Sequence, residues 1–174
     1  MVRAHGRRLG ADHDHSGPGE GGASLSPEKA DITNETLIVA VGDGSGASSK
    51  AAGEWADASL STVKDEKSEL SGGNTFTPDE TGFYRITFKR RINPGGSGDK
   101  FESRLRNITD SETVTISPRV TRSSGTVEGI PMLSEIVHLT SNKEYRPQSV
   151  DLDSSSFHEN GETNSGFTVR SMFR

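Results

Sequence analysis

Two histidines near the N-terminus, His13 and His15, come closest to a chemical site by their type and spacing. They flank Asp14 in a His-Asp-His sequence. Two imidazoles are too few to close a metal site in one chain, but three copies around a threefold axis would supply six. Six nitrogen ligands form an octahedral set, which suits iron or another transition metal rather than tetrahedral zinc. The alternative is that both histidines belong to a solvated arm and only contact a neighbouring surface.

Other reactive residue types occur without the partners that catalysis needs. His138 lies in an apolar run with no carboxylate or second histidine at the spacing of a triad, which favours a surface or interface role. Asp151 and Asp153 lie two residues apart on a predicted strand, where they either offer oxygen ligands to Ca²⁺ or form a solvated face. Lys50 follows Ser49 instead of the glycine that a phosphate-binding loop requires. We therefore predict that the protein is not an enzyme and has no cofactor apart from the conditional metal.

Residues 1–33 are predicted to form an extended N-terminal attachment arm. The first 25 residues are rich in Gly, His, Asp and Ser, so they bury too little apolar surface to offset the cost of their own ordering. Ser26 as N-cap and Pro27 at the first helical position predict a short helical turn over residues 24–32. No apolar stretch follows the basic residues of the arm, so the arm is not a secretory signal.

The stretch from residue 72 to residue 92 contains the clearest strand pattern in the chain. After turn residues at Pro78, Asp79 and Gly82, apolar and polar side chains alternate with the period of two that a half-buried strand requires. One predicted face carries Tyr84, Ile86, Phe88 and Ile92, and the other carries Arg85, Thr87, Lys89 and Arg91. We predict that this segment is the central strand of the body.

The remaining apolar clusters predict an all-β body over residues 34–174. Only 29% of the residues are hydrophobic, 20 of the 174 are glycine, and no long run has helical period. Further strands are predicted at residues 37–41, 61–63, 101–108, 114–120, 130–140, 144–152 and 166–173, with the segment between 42 and 53 as a flexible loop. Eight to ten short strands without helical crossovers favour an antiparallel jelly-roll sandwich.

Three segments of this body resemble the jelly-roll heads of the complement globular-head and tumour necrosis factor superfamily. They are an F-x-P-x-x-x-G-x-Y-x-I-x-F strand from Phe76 to Phe88, an I-V-H-L-T run from Ile136 to Thr140 that leads into a polar strand, and a final G-F-x-V strand from Gly166 to Val169. The resemblance covers about residues 60–174. It implies that the last strand lies in the middle of a sheet and that three heads pack around a threefold axis, so a homotrimer is expected.

The arm resembles a second group of proteins. Its sequence DHDHSGPGEGGASLSP, residues 12–27, is similar to the N-terminal leaders of virion proteins from tailed viruses, particularly those that infect haloarchaea. This resemblance implies a virion structural protein of the extracellular particle: a trimeric capsid decoration or turret protein that docks on the major capsid protein through its arm. One alternative is a tail fibre or receptor-binding knob on tail or baseplate proteins, which binds a host-surface receptor. Another is a secreted, non-viral carbohydrate-binding module.

The charge balance limits the other partners. The formal net charge is -5, from 25 acidic and 20 basic residues, which argues against nucleic acid as a partner. No stretch approaches the length of about 18 apolar residues that a membrane span needs, so no membrane insertion is expected. The chain has no cysteine, which excludes disulfides and thiolate chemistry. Its basic residues are 13 Arg and only 7 Lys, a bias typical of proteins that work in high salt.

Overall fold

The computed structural model describes residues 35–93, 98–121 and 129–173, and these residues form fifteen β-strands and no helix. None of them therefore lies in a helix that could cross a membrane. Every pairing between the described strands is antiparallel, and the prediction of an all-β body is confirmed. The predicted arm, residues 1–33, and the helical turn at 24–32 lie outside the described residues.

A five-stranded sheet forms one layer of the body. Numbered in chain order, its strands run across the sheet as β12 (Met132–Leu139), β7 (Gly82–Arg90), β15 (Ser165–Phe173), β1 (Glu35–Gly42) and β4 (Leu60–Asp65). The last strand, β15, occupies the centre, as the resemblance to jelly-roll heads implied. The strand pattern at residues 82–90 is a long inner strand, but it lies beside the centre rather than at it.

A seven-stranded sheet forms the opposite layer. Its main path is β10 (Glu112–Ile116), β9 (Lys100–Asn107), β13 (Tyr145–Asp151), β6 (Thr75–Phe76) and β5 (Leu70–Ser71). Two short strands join it at the sides, β11 (Val120–Thr121) on β9 and β3 (Ala56–Asp57) on β13. A small third sheet contains β2 (Ala47–Lys50), β14 (Ser156–Glu159) and β8 (Ile92–Asn93).

The core lies between the two large sheets, because each contributes the apolar side chains of one strand face. The five-stranded sheet supplies Ile86, Phe88, Phe167 and Val169, and the seven-stranded sheet supplies Phe76, Leu105 and Tyr145. Phe76 packs edge-on against Tyr84 with ring centroids 5.9 Å apart, which joins the two layers at one end. The alternating burial along β7 and β9 is the direct result of the period-two pattern in their sequences.

Several details of the predicted strands are wrong. The strand at 72–92 ends at Arg90, and Ile92 pairs with His158 in the third sheet, so Ile92 does not continue the face of Phe88. The strand at 114–120 is two strands, β10 and β11, because Pro118 lies between them and cannot donate a ladder hydrogen bond. The loop at 42–53 contains β2, which pairs with β14.

The last strand is irregular near its end. A β-bulge between Ser171 and Phe173 shifts the register, so that residue 173 lies opposite Phe83.

Candidate functional site

The predicted metal ligands His13 and His15 lie outside the described residues, so the metal site stays a prediction. Within the described ranges, no group of three or more His, Asp or Glu side chains is arranged to hold a metal ion. The second metal hypothesis, Ca²⁺ at Asp151 and Asp153, therefore has no supporting set of ligands in this part of the chain.

Asp151 and Asp153 do not form the solvated face that was the alternative to Ca²⁺. Asp151 is buried, and its carboxylate accepts hydrogen bonds from the backbone amides of Asp153 and Ser154, at 3.1 and 3.2 Å, in the turn after β13. Burial, partly offset by these bonds, raises the pKa of Asp151. Asp153 lies beyond the strand end and pairs with Lys100 at 3.3 Å. The two carboxylates thus hold a turn together.

A buried histidine that the sequence analysis did not single out, His158 on β14, lies between two serine hydroxyls. Its Nδ1 is 2.8 Å from Ser149 Oγ and its Nε2 is 3.1 Å from Ser156 Oγ. Burial, together with the nearby charges of Arg90 and Lys50, lowers the pKa of His158 to about 3. Among the described residues, no carboxylate hydrogen-bonds to the ring, and the side chain is fully buried. A neutral histidine in this setting joins β13 and β14 and does not act as a catalytic base.

Arg90, at the end of β7, is the largest fully buried side chain among the described residues. Its guanidinium donates to the carbonyl oxygens of Asp57, at 2.8 Å, and of Glu159 and His158, and to the side-chain oxygen of Asn160. Burial lowers its pKa to about 10, so the group still carries its charge at neutral pH. Arg90 therefore ties all three sheets together. The sequence analysis named Arg91 on the polar face and passed over Arg90, although the period-two alternation places position 90 on the same face as Phe88.

The outward face of the five-stranded sheet is the strongest candidate for a functional surface. On this face β7 presents Phe83, Arg85, Thr87 and Lys89, β12 presents Met132, Ser134, Ile136 and His138, and β15 presents Thr168 and Arg170. Three large apolar side chains are exposed here: Phe83 by 47%, Ile136 by 46% and Met132 by 57%. Exposed apolar side chains on neighbouring strands are typical of a surface that another molecule covers.

Phe83 and His138 form one end of this surface. The register of β7 and β12 places them directly opposite, and their rings pack edge to face with centroids 5.2 Å apart. His138 is exposed, which confirms the prediction that it has a surface or interface position. Phe83 was missed, because the sequence analysis began its alternation at Tyr84.

The middle of the surface is basic. Arg85 on β7 lies directly opposite Arg170 on β15, and Lys89 lies four residues further along β7. Among the described residues, no ion pair involves these three side chains. Like charges directly opposite each other destabilise a sheet unless an anion or a carboxylate lies nearby. The described residues therefore give this face no counter-charge of its own.

Glu135, on the edge strand β12 of the five-stranded sheet, has no ion pair within the described structure. Glu135 on β12 is opposite Ile86 and therefore at a core-facing position, but it is exposed because β12 is the edge strand of the sheet. Inward-pointing charges on edge strands prevent unspecific strand pairing. Glu135 is also placed to meet the basic face of another molecule that packs on this edge.

No protein-family model and no curated protein matches the sequence. Solved structures do. The chain is similar to Eiger TNF from S. frugiperda, with a TM-score of 0.57 and 9% identity over 79% of this chain and 92% of that one. It is similar to murine APRIL at pH 5.0, with a TM-score of 0.58 and 9% identity over 79% of this chain and 98% of that one. A third similar structure is the globular domain of zebrafish complement 1qA protein, with a TM-score of 0.51 and 14% identity over 80% of this chain and 99% of that one.

These likenesses define the class of the fold: an antiparallel jelly roll of the tumour necrosis factor and complement globular-head type. The predicted jelly-roll sandwich and the resemblance that suggested it are confirmed at the level of fold. The resemblance of the arm to viral leaders concerns residues outside the described part and stays a prediction.

Proposed function

We propose that the protein is a homotrimeric, non-enzymatic attachment head, in which three jelly rolls meet through the outward face of the five-stranded sheet. The observation that carries this proposal is the combination, on one sheet, of exposed apolar side chains, uncompensated arginines and an exposed carboxylate at the edge. The likeness to tumour necrosis factor and complement heads supports it, since that family, by the resemblance given above, packs three heads around an axis.

Burial of apolar side chains favours the assembly. Phe83 and Ile136, each about half exposed in the single chain, would lose that exposure in the trimer. Full burial of such a side chain contributes roughly 1.5–3 kcal/mol. Each of these half-exposed side chains would therefore contribute roughly half of that free energy in each of the three interfaces.

Charge gives the assembly its geometry. In a cyclic trimer the edge of one protomer packs on the face of the next, so each interface joins two different surfaces. Glu135 at the β12 edge of one protomer would then approach Arg85 and Arg170 on the face of its neighbour. Three such contacts close a ring and neutralise the guanidinium pairs that the single chain leaves without a counter-charge.

The arm, residues 1–33, gives the head its attachment function in this proposal. We infer that it docks the trimer on a larger particle, specifically on the capsid of a tailed virus, where the protein is a decoration or turret protein. If the three arms converge on the axis, His13 and His15 of three copies supply the six nitrogens of a transition-metal site. A tail fibre or receptor-binding knob is the second candidate, favoured by the arginines Arg104, Arg106 and Arg146 on the opposite sheet.

The test compares two matched variants of the full chain by sedimentation equilibrium. Phe83→Glu places a charge in the proposed contact, where the side chain is 47% exposed. Phe157→Glu places the same charge on a comparably exposed phenylalanine, 56%, in the third sheet. We expect the parent chain and Phe157→Glu to have three times the 18.6 kDa mass of one chain, and Phe83→Glu to dissociate. A monomeric parent, or a Phe83→Glu variant that stays trimeric at micromolar concentration, would refute the proposal.

The arm has its own test. Elemental analysis of the purified full chain should find about one transition-metal ion per three chains, and the double substitution His13→Ala and His15→Ala should remove it while the trimer remains. Metal far below that ratio in the parent would end the metal hypothesis, and the trimer proposal would be unaffected by that result.

A further inference from the structure

A cluster of three arginines lies on the outward face of the seven-stranded sheet, on the side of the sandwich opposite the proposed trimer contact. Arg104 and Arg106 are on β9, and Arg146 is on β13. The register places Arg146 directly opposite Arg106, and Gln148 directly opposite Arg104. We call Arg104, Arg106 and Arg146 the arginine cluster.

Arg104 is held in place by the only tryptophan of the chain. Its guanidinium carbon lies 3.9 Å from the ring centroid of Trp55, the distance of a cation–π contact. Its Nε donates to Gln148 Oε1 at 2.7 Å, and one terminal nitrogen donates to Thr113 Oγ1 at 3.3 Å. Burial and the neighbouring charge of Arg106 lower the pKa of Arg104. Its other terminal nitrogen has no hydrogen bond within the described ranges.

Arg146 is positioned by Asp57 and Thr75. Its Nη1 lies 3.3 Å from Asp57 Oδ2, and its Nε donates to Thr75 Oγ1 at 2.9 Å. The second oxygen of Asp57 accepts a 2.6 Å bond from Gln148 Nε2. Gln148 therefore links the two arginines, and both guanidinium groups are fixed before any ligand binds.

Arg106 has no such partner in the described part of the chain. It lies between Arg146 on one side and Thr113 on the other. Two carboxylates of the same strands and turns are already engaged: Glu102 pairs with Arg119 at 2.8 Å, and Asp110 pairs with Lys143 at 2.7 Å. Asp57 is thus the one carboxylate bonded to the cluster among the described residues, so three positive charges face one negative charge. A fixed excess of guanidinium groups with unused donors matches an oxyanion, which can accept two parallel hydrogen bonds from one arginine.

We propose that the arginine cluster and Trp55 bind the carboxylate or sulfate groups of an acidic polysaccharide. The oxyanion accepts hydrogen bonds from Arg106 and from the free terminal nitrogens of Arg104 and Arg146. Sugar hydroxyls meet the polar side chains at the border, Thr113 and Asp57, and a sugar ring packs on the accessible part of Trp55. The inference does not depend on the trimer, since this sheet lies on the other side of the core.

The surroundings favour a saccharide over a nucleic acid. Proteins that bind single-stranded nucleic acid use several stacking aromatic side chains along an extended basic groove. Here one tryptophan stands beside one compact basic cluster, in a chain with a formal net charge of -5. Such a local site fits a single acidic sugar unit better than a continuous phosphate backbone.

The experiment uses the full chain and the fluorescence of Trp55, which reports from within the site because no other tryptophan is present. Four probes are titrated: polygalacturonate for carboxylates, dextran sulfate for sulfates, neutral dextran, and an oligodeoxythymidylate. We expect one or both acidic polysaccharides to change the emission and to bind in a salt-sensitive manner. Neutral dextran should have no effect, and the oligonucleotide should bind at least tenfold more weakly. Which acidic probe binds decides between a carboxylate and a sulfate.

The matched substitutions are Arg106→Gln and Arg119→Gln. Both remove one positive charge, but Arg119 lies in the connection between β10 and β11, is already paired with Glu102 and is outside the cluster. We expect Arg106→Gln to weaken binding at least tenfold with the oligomeric mass unchanged, and Arg119→Gln to bind like the parent. Absence of binding to both acidic polysaccharides, equal binding of the oligonucleotide, or an equal effect of the two substitutions would overturn the proposal.

Discussion

At the scale of single residues, burial decides what the ionisable side chains do. His158 and Arg90 are both fully buried, and burial lowers the pKa of each. At neutral pH one is neutral and the other charged, because arginine starts from a far higher pKa than histidine. His158 meets two hydroxyls, which satisfy a neutral ring, whereas Arg90 meets backbone carbonyls and an amide oxygen, which satisfy a cation. Neither is placed to react with a substrate, and both stabilise the packing of the third sheet on the sandwich.

His158 makes stability depend on acid. Its pKa is about 3 in the folded protein and near 6.5 when unfolded, so between these values only the unfolded chain takes up a proton. The free energy of unfolding therefore falls as the pH drops from 6.5 towards 3, by up to about 1.4 kcal/mol per pH unit. In His158→Gln this part of the slope should disappear, although the variant is less stable at neutral pH. Urea unfolding at several pH values measures the slope.

The control for this measurement is Phe157→Gln, an exposed, non-titrating side chain next to His158 on β14, whose substitution should leave the slope unchanged. The raised pKa values of Glu69 and Asp151 have the opposite effect on stability, since these groups hold their protons more firmly in the folded state. They are the same in all three proteins and cancel in the comparison. If the free energy of unfolding of His158→Gln and of the parent depended on pH in the same way, the lowered pKa of His158 would be contradicted.

Replacing Arg90 with another cationic residue should lower the free energy of unfolding. In Arg90→Lys the ammonium keeps the charge but has a single nitrogen, which cannot reach the carbonyls of Asp57, Glu159 and His158 together. We expect a loss of about 2–4 kcal/mol in the free energy of unfolding, because buried acceptors lose their donors. Arg119→Lys, with a side chain that is 54% exposed, should change it by less than about 0.5 kcal/mol. Equal losses in the two variants would show that the hydrogen bonds of Arg90 contribute little.

At the scale of the elements, the sequence predicted the strands that have a buried face. The segments at 37–41, 101–108, 130–140, 144–152 and 166–173 correspond to β1, β9, β12, β13 and β15, because alternation over seven or more residues, or an unbroken β-branched run, leaves few other structures. The third sheet was missed because its strands have two to four residues and are largely polar. Their pairing depends on contacts between distant segments, which no local pattern contains.

Gly42, at the end of β1, shows how closely these elements approach each other. A Cβ atom at this position would overlap the carbonyl oxygens of Asn160 and Gly161 in the connection between β14 and β15. Gly42→Ala should therefore lower the free energy of unfolding by about 2–4 kcal/mol, since rigid backbone must move apart. Urea unfolding at one fixed protein concentration measures the loss, because the stability of an oligomer depends on concentration.

Gly166 on β15 is the matched control. A Cβ atom there would approach the flexible side chain of Lys89 to 3.4 Å, and the nearest backbone atom, the carbonyl oxygen of Ala40, would be 3.9 Å away, an ordinary van der Waals distance. Gly166→Ala should be neutral or stabilise the strand by up to about 1 kcal/mol, because the unfolded chain loses conformational freedom. A loss in Gly42→Ala no larger than in Gly166→Ala would mean that the β14–β15 connection adapts without cost.

At the scale of the whole molecule, the two large sheets have different outward faces, and our account gives them different tasks. The five-stranded sheet has exposed apolar side chains and uncompensated Arg85 and Arg170, which suit contact with copies of the same chain. The seven-stranded sheet has a fixed polar cluster, which suits a ligand. The jelly roll could be predicted from sequence patterns and resemblance. The two faces could not, since each joins residues from strands that are distant in the chain.

A charge reversal tests the pairing between protomers. Arg170→Glu should weaken the trimer, because Glu135 of the neighbour would then face a carboxylate, and Glu135→Arg should weaken it for the same reason. Combining the two substitutions restores opposite charges and should return the dissociation constant to within about tenfold of the parent value. The measurement is sedimentation equilibrium of the full chain. A double variant no tighter than either single variant would exclude this ion pair.

The central claim, that three copies meet through the outward face of the five-stranded sheet, is tested most directly by an electron cryomicroscopy map of the purified full chain. We predict a threefold particle in which Phe83 and Ile136 of every copy lie in the contact and Trp55 faces solvent. A single jelly roll, or an assembly in which the seven-stranded sheet forms the contact, would contradict the account.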